Sequence, residues 1–240
     1  MQNVNRRSFV RSAAFVAAAT ASAAFAGTAM AGDNLEQCRA AQGEIPTPEN
    51  SSNFNVVEDS ATYVGTTLEN LKAAVAGETG ATTKYTAFAE YAEKAGYDRL
   101  ARLFRATADA EKIHIELEAA IVEAEDPTWE RPTAEPPAEI ASDLALIAGA
   151  NGEIYETSDM YPAFIKKAQE EGNEKAVKVF TRAKLAEAYH AKLYMDAYTT
   201  IDEADDPVYY LCPICGYIHK GENFTACPIC LAPKSSFTAY

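Results

Sequence analysis

Apolar residues recur at the spacing of an amphipathic helix along four segments of the chain. The first segment opens with the capping-box pattern Thr66-Thr67-Leu68-Glu69, and Gly96 is its stop signal. A Pro-rich stretch that cannot be helical throughout separates the second segment from the third. This pattern predicts an all-α domain over residues 60–204. Its four helices are expected at about 66–95, 98–125, 138–171 and 174–203.

The inward stripes of these helices carry ionisable residues among the apolar ones. In the second helix, Glu111 and His114 lie one turn apart on the stripe that also contains Leu100 and Phe104. The other helices repeat the feature. The inward ionisable residues are Glu78 in the first helix, Glu111 and His114 in the second, Glu153 and Glu156 in the third, and Glu187 and His190 in the fourth.

The two helix pairs form an internal repeat. A shift of 76 residues superposes Tyr85 on Tyr161, Gly96 on Gly172, Phe104 on Phe180, Glu111 on Glu187 and His114 on His190. Two copies of one helix-pair pattern predict a pseudo-twofold four-helix bundle.

Five buried carboxylates need positive charge, and two histidines cannot supply enough of it. No Lys or Arg falls on the stripes followed here, so divalent cations are expected. Oxygen ligands with one imidazole for each metal suit iron or manganese. A lone Glu-x-x-His pair usually lies on an exposed face. Two copies in register, each preceded by a helix with an inward Glu, instead match the ligand pattern of ferritin-like di-iron proteins.

Glu156 lies beyond this basic set of six ligands. It follows Glu153 by one turn on the same face. The spacing alone also permits a solvated side chain at this position.

Residues 205–240 form a compact cysteine-rich module with the pairs Cys212-x-x-Cys215 and Cys227-x-x-Cys230. Paired Cys-x-x-Cys turns present four thiolates to one iron or zinc ion. Two disulfides are the alternative. A di-metal site in the same chain favours redox-active iron. Cys38 stands alone and is expected to be an incidental thiol.

The first 31 residues contain the twin arginine Arg6-Arg7, an Ala-rich apolar run and the small-residue site Ala29-Met30-Ala31. This pattern predicts a cleavable twin-arginine export signal and a periplasmic protein, followed by an irregular arm over residues 32–59. A retained membrane anchor is the alternative. The chain's formal charge is −14, and removing three arginines with no acids would give −17. Such an acidic protein is a poor candidate for binding nucleic acid.

Taken together, the motifs resemble those of rubrerythrin. They are "AGETGATTKYTAFAEYAEKAG", "FRATADAEKIHIE", "GEIYETSDMYPAF", "AEAYH" and "CPICGYIHKG" with a second "CPIC", in that order. The resemblance covers residues 60–240. It implies a ferritin-like di-iron bundle followed by a rubredoxin-like single-iron domain.

The resemblance also implies roles for individual residues. It makes Glu156 and His114 an alternating pair, with one iron moving between them. Tyr85 and Tyr161 match tyrosines that hydrogen-bond ligand carboxylates. The implied ligands of the two irons are Glu78, Glu111, His114, Glu153, Glu156, Glu187 and His190, and those of the third iron, for which zinc is possible, are Cys212, Cys215, Cys227 and Cys230.

The implied activity is reduction of hydrogen peroxide to water, with electrons relayed through the rubredoxin-like iron from an unidentified donor. The resemblance also implies a homodimer or a higher oligomer, in which one subunit's module meets another subunit's bundle. Two rivals remain: an iron-storage protein with ferroxidase activity, and an electron carrier whose bundle is only structural.

A one-residue slip in the repeat predicts a local irregularity. Tyr85 follows Glu78 by seven residues, whereas Tyr161 follows Glu153 by eight. In a regular α-helix the extra residue would turn Tyr161 about 100° off the ligand face. A π-bulge between Glu153 and Tyr161 would restore that face, beside Glu156.

Overall fold

The computed structural model describes residues 62–204 and 206–240. The predicted export signal, the arm over residues 32–59 and Cys38 lie outside these residues. Within them, five α-helices and one π-helical segment form the bundle, and a small three-stranded sheet forms the C-terminal module.

The first helix pair follows the sequence prediction closely. Helix α1 spans Thr67–Lys94 and α2 spans Asp98–Glu125. Thr66 caps α1 with the predicted capping box, in which its side chain and that of Glu69 each bond the other's backbone N–H. Gly96, at φ +81°, ends α1 in the left-handed conformation that glycine adopts without strain.

The third predicted helix differs from the prediction at its start. Helix α3 spans Ser142–Tyr155 and begins four residues after the expected Ala138. Tyr91 donates a 2.8 Å hydrogen bond to the carbonyl of Pro137, which ties the Pro-rich stretch to α1. Ala141 is extended, at φ −63° and ψ 146°, and acts as the N-cap. This tertiary contact and the extended Ala141 therefore accompany the later start of the helix.

A π-helix over Glu156–Met160 interrupts the third helix, which then continues as α4, Tyr161–Glu170. The predicted bulge between Glu153 and Tyr161 is thereby confirmed. Helix α5 spans Glu174–Thr199, is capped by the Asn173 side chain, and ends before the predicted Glu203.

Two apolar clusters fill the bundle. Tyr85 belongs to the larger one, where its ring lies 5.4 Å from that of Tyr194 and 6.3 Å from that of Phe104, measured between centroids. Tyr161 belongs to the other, with its ring centroid 5.8 Å from that of Phe180. Each repeat tyrosine thus anchors a different part of the core.

The C-terminal module contains strands β1, Tyr209–Leu211, β2, Ile218–Lys220, and β3, Thr238–Ala239. They form one antiparallel sheet in the order β2-β1-β3, and a 3₁₀ turn spans Lys234–Ser236. Buried residues of β1 and β2 belong to the same apolar cluster as the bundle. The module therefore packs directly on the helices, and the predicted fold class is confirmed.

No helix within residues 62–204 or 206–240 is both long and apolar enough to cross a membrane.

Candidate metal centre

The inward carboxylates and imidazoles meet in two groups that share two residues. In each group the potential ligand atoms lie within 4.8 Å of one another, and every side chain is buried. Glu111 and Glu187 belong to both groups. One group is Glu78, Glu111, His114 and Glu187, and the other is Glu111, Glu153, Glu187 and His190. Two adjacent cation sites bridged by two carboxylates fit this arrangement.

Helical periodicity positions each Glu-x-x-His pair. Residues three apart on a helix lie on one face, so the glutamate and histidine of a pair point to the same side. The Nδ1 atom of His114 lies 3.1 Å from Glu111 Oε2, and that of His190 lies 2.7 Å from Glu187 Oε2. His114 Nδ1 also lies 2.7 Å from Glu187 Oε1, across the two helix pairs.

The far side of each imidazole faces the cysteine module. His114 Nε2 lies 3.1 Å from the carbonyl oxygen of Cys215, and His190 Nε2 lies 2.9 Å from that of Gly216. A carbonyl oxygen only accepts hydrogen bonds, so each Nε2 carries the proton and donates. In the neutral tautomer Nδ1 then presents a lone pair to the carboxylates, as a metal-binding histidine does.

The hydrogen bonding of the buried ligand-type atoms also indicates metal cations. Several buried ligand-type atoms lack a hydrogen-bond partner within the described chain. These are Glu78 Oε2, Glu111 Oε1, Glu153 Oε2, Glu187 Oε1, Glu187 Oε2 and His190 Nδ1. Buried polar atoms without partners are costly, and cations between the two helix pairs would satisfy them.

The electrostatics agree with that indication. Burial, and then the neighbouring Glu187, raise the pKa of Glu153 to about 7. Burial also raises the pKa of Glu111, with Glu187 and Glu153 acting in the same direction. Burial alone would raise the pKa of Glu187, but the imidazoles of His114 and His190 hold it well below its usual range. The cluster carries more negative charge than its histidines balance, which favours divalent cations.

The hydroxyl of each repeat tyrosine donates a hydrogen bond to a carboxylate of the other helix pair. Tyr85 donates to Glu153 Oε1, and Tyr161 donates to Glu78 Oε1. These bonds orient one oxygen of each carboxylate and leave the other free for a cation.

Glu156 lies in neither group of potential ligands, whereas His114 does. The side chain of Glu156 is nevertheless buried, and burial raises its pKa well above the usual value. Glu156 begins the π-helix. The structure thus has the arrangement in which His114 faces the cluster and Glu156 stays outside it.

Sequence reasoning assigned no role to Glu118 and Lys184, which are among the ionisable residues that the structure buries. Glu118 is fully buried on α2, one turn after His114, and its Oε1 atom lies within hydrogen-bond distance, at 3.0 Å, of the Tyr161 hydroxyl oxygen. Its place on the inward stripe was visible, but a single Glu at that spacing equally fits an exposed face. Lys184 on α5 is buried too, which corrects the expectation that no Lys points inward; burial lowers its pKa to about 8. Lys184 belongs to neither group of potential metal ligands.

The four module cysteines form the third candidate site. All four Sγ atoms lie within 4.8 Å of one another, and the thiols are free. The Sγ separations of Cys212–Cys230 and Cys215–Cys227 are each 3.5 Å, too long for disulfide bonds. Hydrogen bonding among the thiols lowers the pKa of Cys230 to about 7 and raises that of Cys227 to about 12. Four closely spaced thiols cannot all ionise without a cation, so a single ion at their centre fits.

Contacts beyond the two histidines hold the module on the bundle. Lys220 forms a 2.7 Å ion pair with Asp196 of α5. The hydroxyl of Tyr240 donates a 2.6 Å hydrogen bond to Asp109 of α2. The meeting of module and bundle, which the resemblance assigns to two subunits, is therefore present within one chain.

A helical bundle with a carboxylate and histidine centre, joined to a four-cysteine module, defines the class of ferritin-like proteins that carry a rubredoxin-like domain. The rubrerythrin family matches this chain over residues 69–198, and the rubredoxin-like domain of rubrerythrin matches it over residues 210–238. The chain belongs to the rubrerythrin family.

Two relatives from Nitratidesulfovibrio vulgaris are similar to this chain over most of its length. The chain is 64% identical to nigerythrin over 199 residues, which cover 83% of this chain and 98% of that protein. It is 35% identical to rubrerythrin over 178 residues, which cover 71% of this chain and 92% of the relative. A solved structure of fully reduced, all-ferrous nigerythrin superposes with a TM-score of 0.79 at 65% identity, covering 82% of this chain and 98% of that one.

The cofactor prediction is confirmed. The bundle contains a di-iron carboxylate and histidine site, the module contains a four-cysteine rubredoxin-like site, and the family and the nigerythrin structures support iron as the metal.

Proposed function

We propose that this protein is a non-haem di-iron peroxidase that reduces hydrogen peroxide to water. Electrons would reach the di-iron site through the rubredoxin-like iron centre. The observation that carries this proposal is the contact between the two sites. Consecutive carbonyls of the module, from Cys215 and Gly216, accept hydrogen bonds from both histidines of the di-iron site. Such a contact has no evident use in a protein that only stores iron.

The reaction consumes one peroxide, two electrons and two protons and releases two water molecules. Two iron ions, when bound, would supply the two electrons and act as Lewis acids toward oxygen. The residues that would hold them include Glu111 and Glu187, which belong to both ligand groups, and His114 and His190, each of which belongs to one. The same residues bury the site, which strengthens every electrostatic interaction inside it.

Tyr85 and Tyr161 keep two of the ligand carboxylates in fixed orientations through the reaction. Glu156 and His114 would exchange places as ligands when the oxidation state changes. The π-helix supports this role, because it begins at Glu156 and replaces regular α-helical hydrogen bonding there.

The path between the two sites is short. It runs from the Cys215 thiolate through that residue's own backbone carbonyl and one 3.1 Å hydrogen bond to the His114 imidazole. The parallel path through Gly216 reaches His190.

A single-turnover experiment tests the proposal. The iron-loaded protein is reduced fully without oxygen and mixed with one equivalent of hydrogen peroxide. The di-iron site should become oxidised and the peroxide should be consumed, with no oxygen released. The storage alternative predicts instead that added ferrous ions are oxidised and retained far beyond three irons for each chain.

Cys215→Ser separates the two sites. This variant should lose the visible absorption of the four-cysteine iron but still complete one turnover when its di-iron site is reduced chemically. Loss of that single turnover in a variant with normal di-iron content would contradict a relay role for the module.

Export is a separate part of the proposal and rests on Arg6-Arg7 and the apolar run that follows. Replacing both arginines with lysine should stop delivery of the mature protein to the periplasm. Undiminished periplasmic yield of that variant would contradict a twin-arginine route. If the protein is exported, its physiological electron donor would be sought among periplasmic electron carriers. Separately, the family resemblance implies a homodimer or a larger oligomer.

A further inference from the structure

Tyr161 faces two carboxylates with one hydroxyl. Its Oη atom is hydrogen-bonded to Glu78 Oε1 and lies 3.0 Å from Glu118 Oε1. All three side chains are fully buried. A phenol has one proton to donate, so it cannot donate to both carboxylates at once.

A second proton resolves this conflict. If one carboxyl group is neutral, its O–H donates to the phenol oxygen, and the phenol O–H donates to the other carboxylate. Both short contacts are then true hydrogen bonds. With both carboxylates ionised, one contact would bring two lone-pair-bearing oxygens together in a buried site, which is unfavourable.

The neutral group is better placed at Glu118 than at Glu78. Glu78 belongs to a group of potential metal ligands, and a ligand carboxylate is ionised. Glu118 belongs to neither group, and its Oε2 atom has no hydrogen-bond partner within the described chain. Burial, the largest cause, raises the pKa of Glu118 well above its usual value.

We propose that Glu118 is a neutral carboxylic acid that donates to Tyr161 and thereby directs the Tyr161 hydroxyl toward the iron ligand Glu78. Glu118 is thus a positioning residue, which acts on the di-iron site through the tyrosine. Its contribution to peroxide reduction rests on the function proposed above, but its protonation state does not.

The internal repeat supplies a natural comparison. The 76-residue shift that relates His114 to His190 places Tyr194 at the position equivalent to Glu118. The equivalent tyrosine, Tyr85, donates to Glu153, and the neighbour that replaces the carboxyl group is Tyr194, which contacts Tyr85 through its ring. The proposed hydrogen bond from a neutral carboxylic acid therefore acts on Tyr161, which is one of the two repeat tyrosines.

Infrared spectroscopy of the iron-loaded protein tests the protonation state directly. The wild-type protein should show the C=O stretching band of a buried carboxylic acid, which Glu118→Gln removes. Tyr161→Phe should shift this band, because the acid loses the oxygen to which it donates, but should not abolish it. A wild-type spectrum that Glu118→Gln leaves unchanged in this region would overturn the proposal.

A pair of substitutions tests the positioning role. The amide N–H of Glu118→Gln can donate to Tyr161 as the acid does, whereas Glu118→Leu cannot. Glu118→Leu should slow peroxide reduction by the reduced protein by roughly tenfold, about the effect of one hydrogen bond, and Gln should restore most of that loss. The visible spectrum of the four-cysteine iron and the di-iron content show that both variants are folded and loaded.

Equal loss in the two variants would overturn the positioning role. If the wild-type protein does not reduce peroxide at all, the proposed function fails, while the infrared result for Glu118 still stands or falls by itself.

Discussion

The two helix pairs of the bundle resemble each other in the residues predicted to bind metal and differ in the residues around one of the two ligand groups. Glu111 and His114 in the first pair correspond to Glu187 and His190 in the second. The tyrosine bonds are reciprocal as well, since each of Tyr85 and Tyr161 donates to a carboxylate of the opposite pair.

The differences cluster around the group that contains His114. The second pair adds Glu156 and its π-helix, where the equivalent stretch of α1 has only Gly80 and Ala81. The first pair adds Glu118, where the second has Tyr194. The repeat therefore preserves a symmetric two-ion framework, and the added groups make one ion site different from the other.

The largest expected effect is on iron content, and it compares a predicted ligand that both groups share with one that belongs to a single group. Glu187 belongs to both ligand groups, whereas Glu153 belongs to one. Glu187→Ala should therefore remove both irons from the bundle, and Glu153→Ala should weaken one site. Iron analysis measures this, with the four-cysteine iron as an internal reference for each chain. Two bundle irons retained in Glu187→Ala would contradict the assignment of a shared ligand.

The next effect concerns Glu156, which has no counterpart in the first pair. Glu156→Ala should leave the iron content of the reduced protein unchanged, because His114 faces the cluster. Peroxide turnover should fall about 10- to 100-fold, as for other residues that support a metal site. Ser158→Ala is the matched control, since Ser158 lies in the same π-helix and its hydroxyl donates to the backbone carbonyl of Ile154. Normal turnover in Glu156→Ala would exclude the exchange of ligands.

A smaller effect is expected from disturbing the contact between the cysteine module and the two histidines, His114 and His190. Gly216 has φ +75°, and a Cβ atom there would overlap the His114 ring. Gly221 has φ +86° and open space around it. Alanine at either position should cost about 1–2 kcal/mol of backbone strain, but only Gly216→Ala should push the module away from the histidines.

Electron transfer from the four-cysteine iron to the di-iron site should accordingly slow by tenfold or more in Gly216→Ala, because small misplacements have large effects on rate. Gly221→Ala should transfer electrons at the wild-type rate. Stopped-flow absorption at the four-cysteine band measures both. Equal slowing of the two variants would show that strain, and not the contact, sets the rate.

Much of this architecture was predictable because periodicity and repetition are local properties of the chain. The α2 boundaries, the Thr66 capping box and the convergence of four glutamates and two histidines all follow from spacing. The π-helix was predictable for a subtler reason: one extra residue between Glu153 and Tyr161 breaks a repeat that is otherwise in register.

Other features depend on tertiary contacts that spacing does not encode. The late start of α3 goes with the Tyr91 hydrogen bond to Pro137. The module contacts the histidines through backbone carbonyls, which every residue possesses, so no side-chain pattern marks them. The ligand roles of the converging residues remain predictions that the iron analysis above tests.

The smallest expected effect compares the two repeat tyrosines themselves. Tyr85→Phe leaves one carboxylate, Glu153, without its donor, whereas Tyr161→Phe affects both Glu78 and Glu118. A hydrogen bond to a charged group contributes about 1.5–3 kcal/mol and one to a neutral group about 1 kcal/mol. The free energy of unfolding of the iron-loaded protein should therefore fall more in Tyr161→Phe than in Tyr85→Phe.

Tyr91→Phe provides the matched reference, because Tyr91 donates to a neutral carbonyl far along the sequence from any predicted ligand. It should lose about 1 kcal/mol and keep its full iron content. Urea unfolding followed by helical circular dichroism ranks the three variants. Equal losses in Tyr85→Phe and Tyr161→Phe would mean that the second carboxylate adds nothing, and the two halves would then be equivalent at this position.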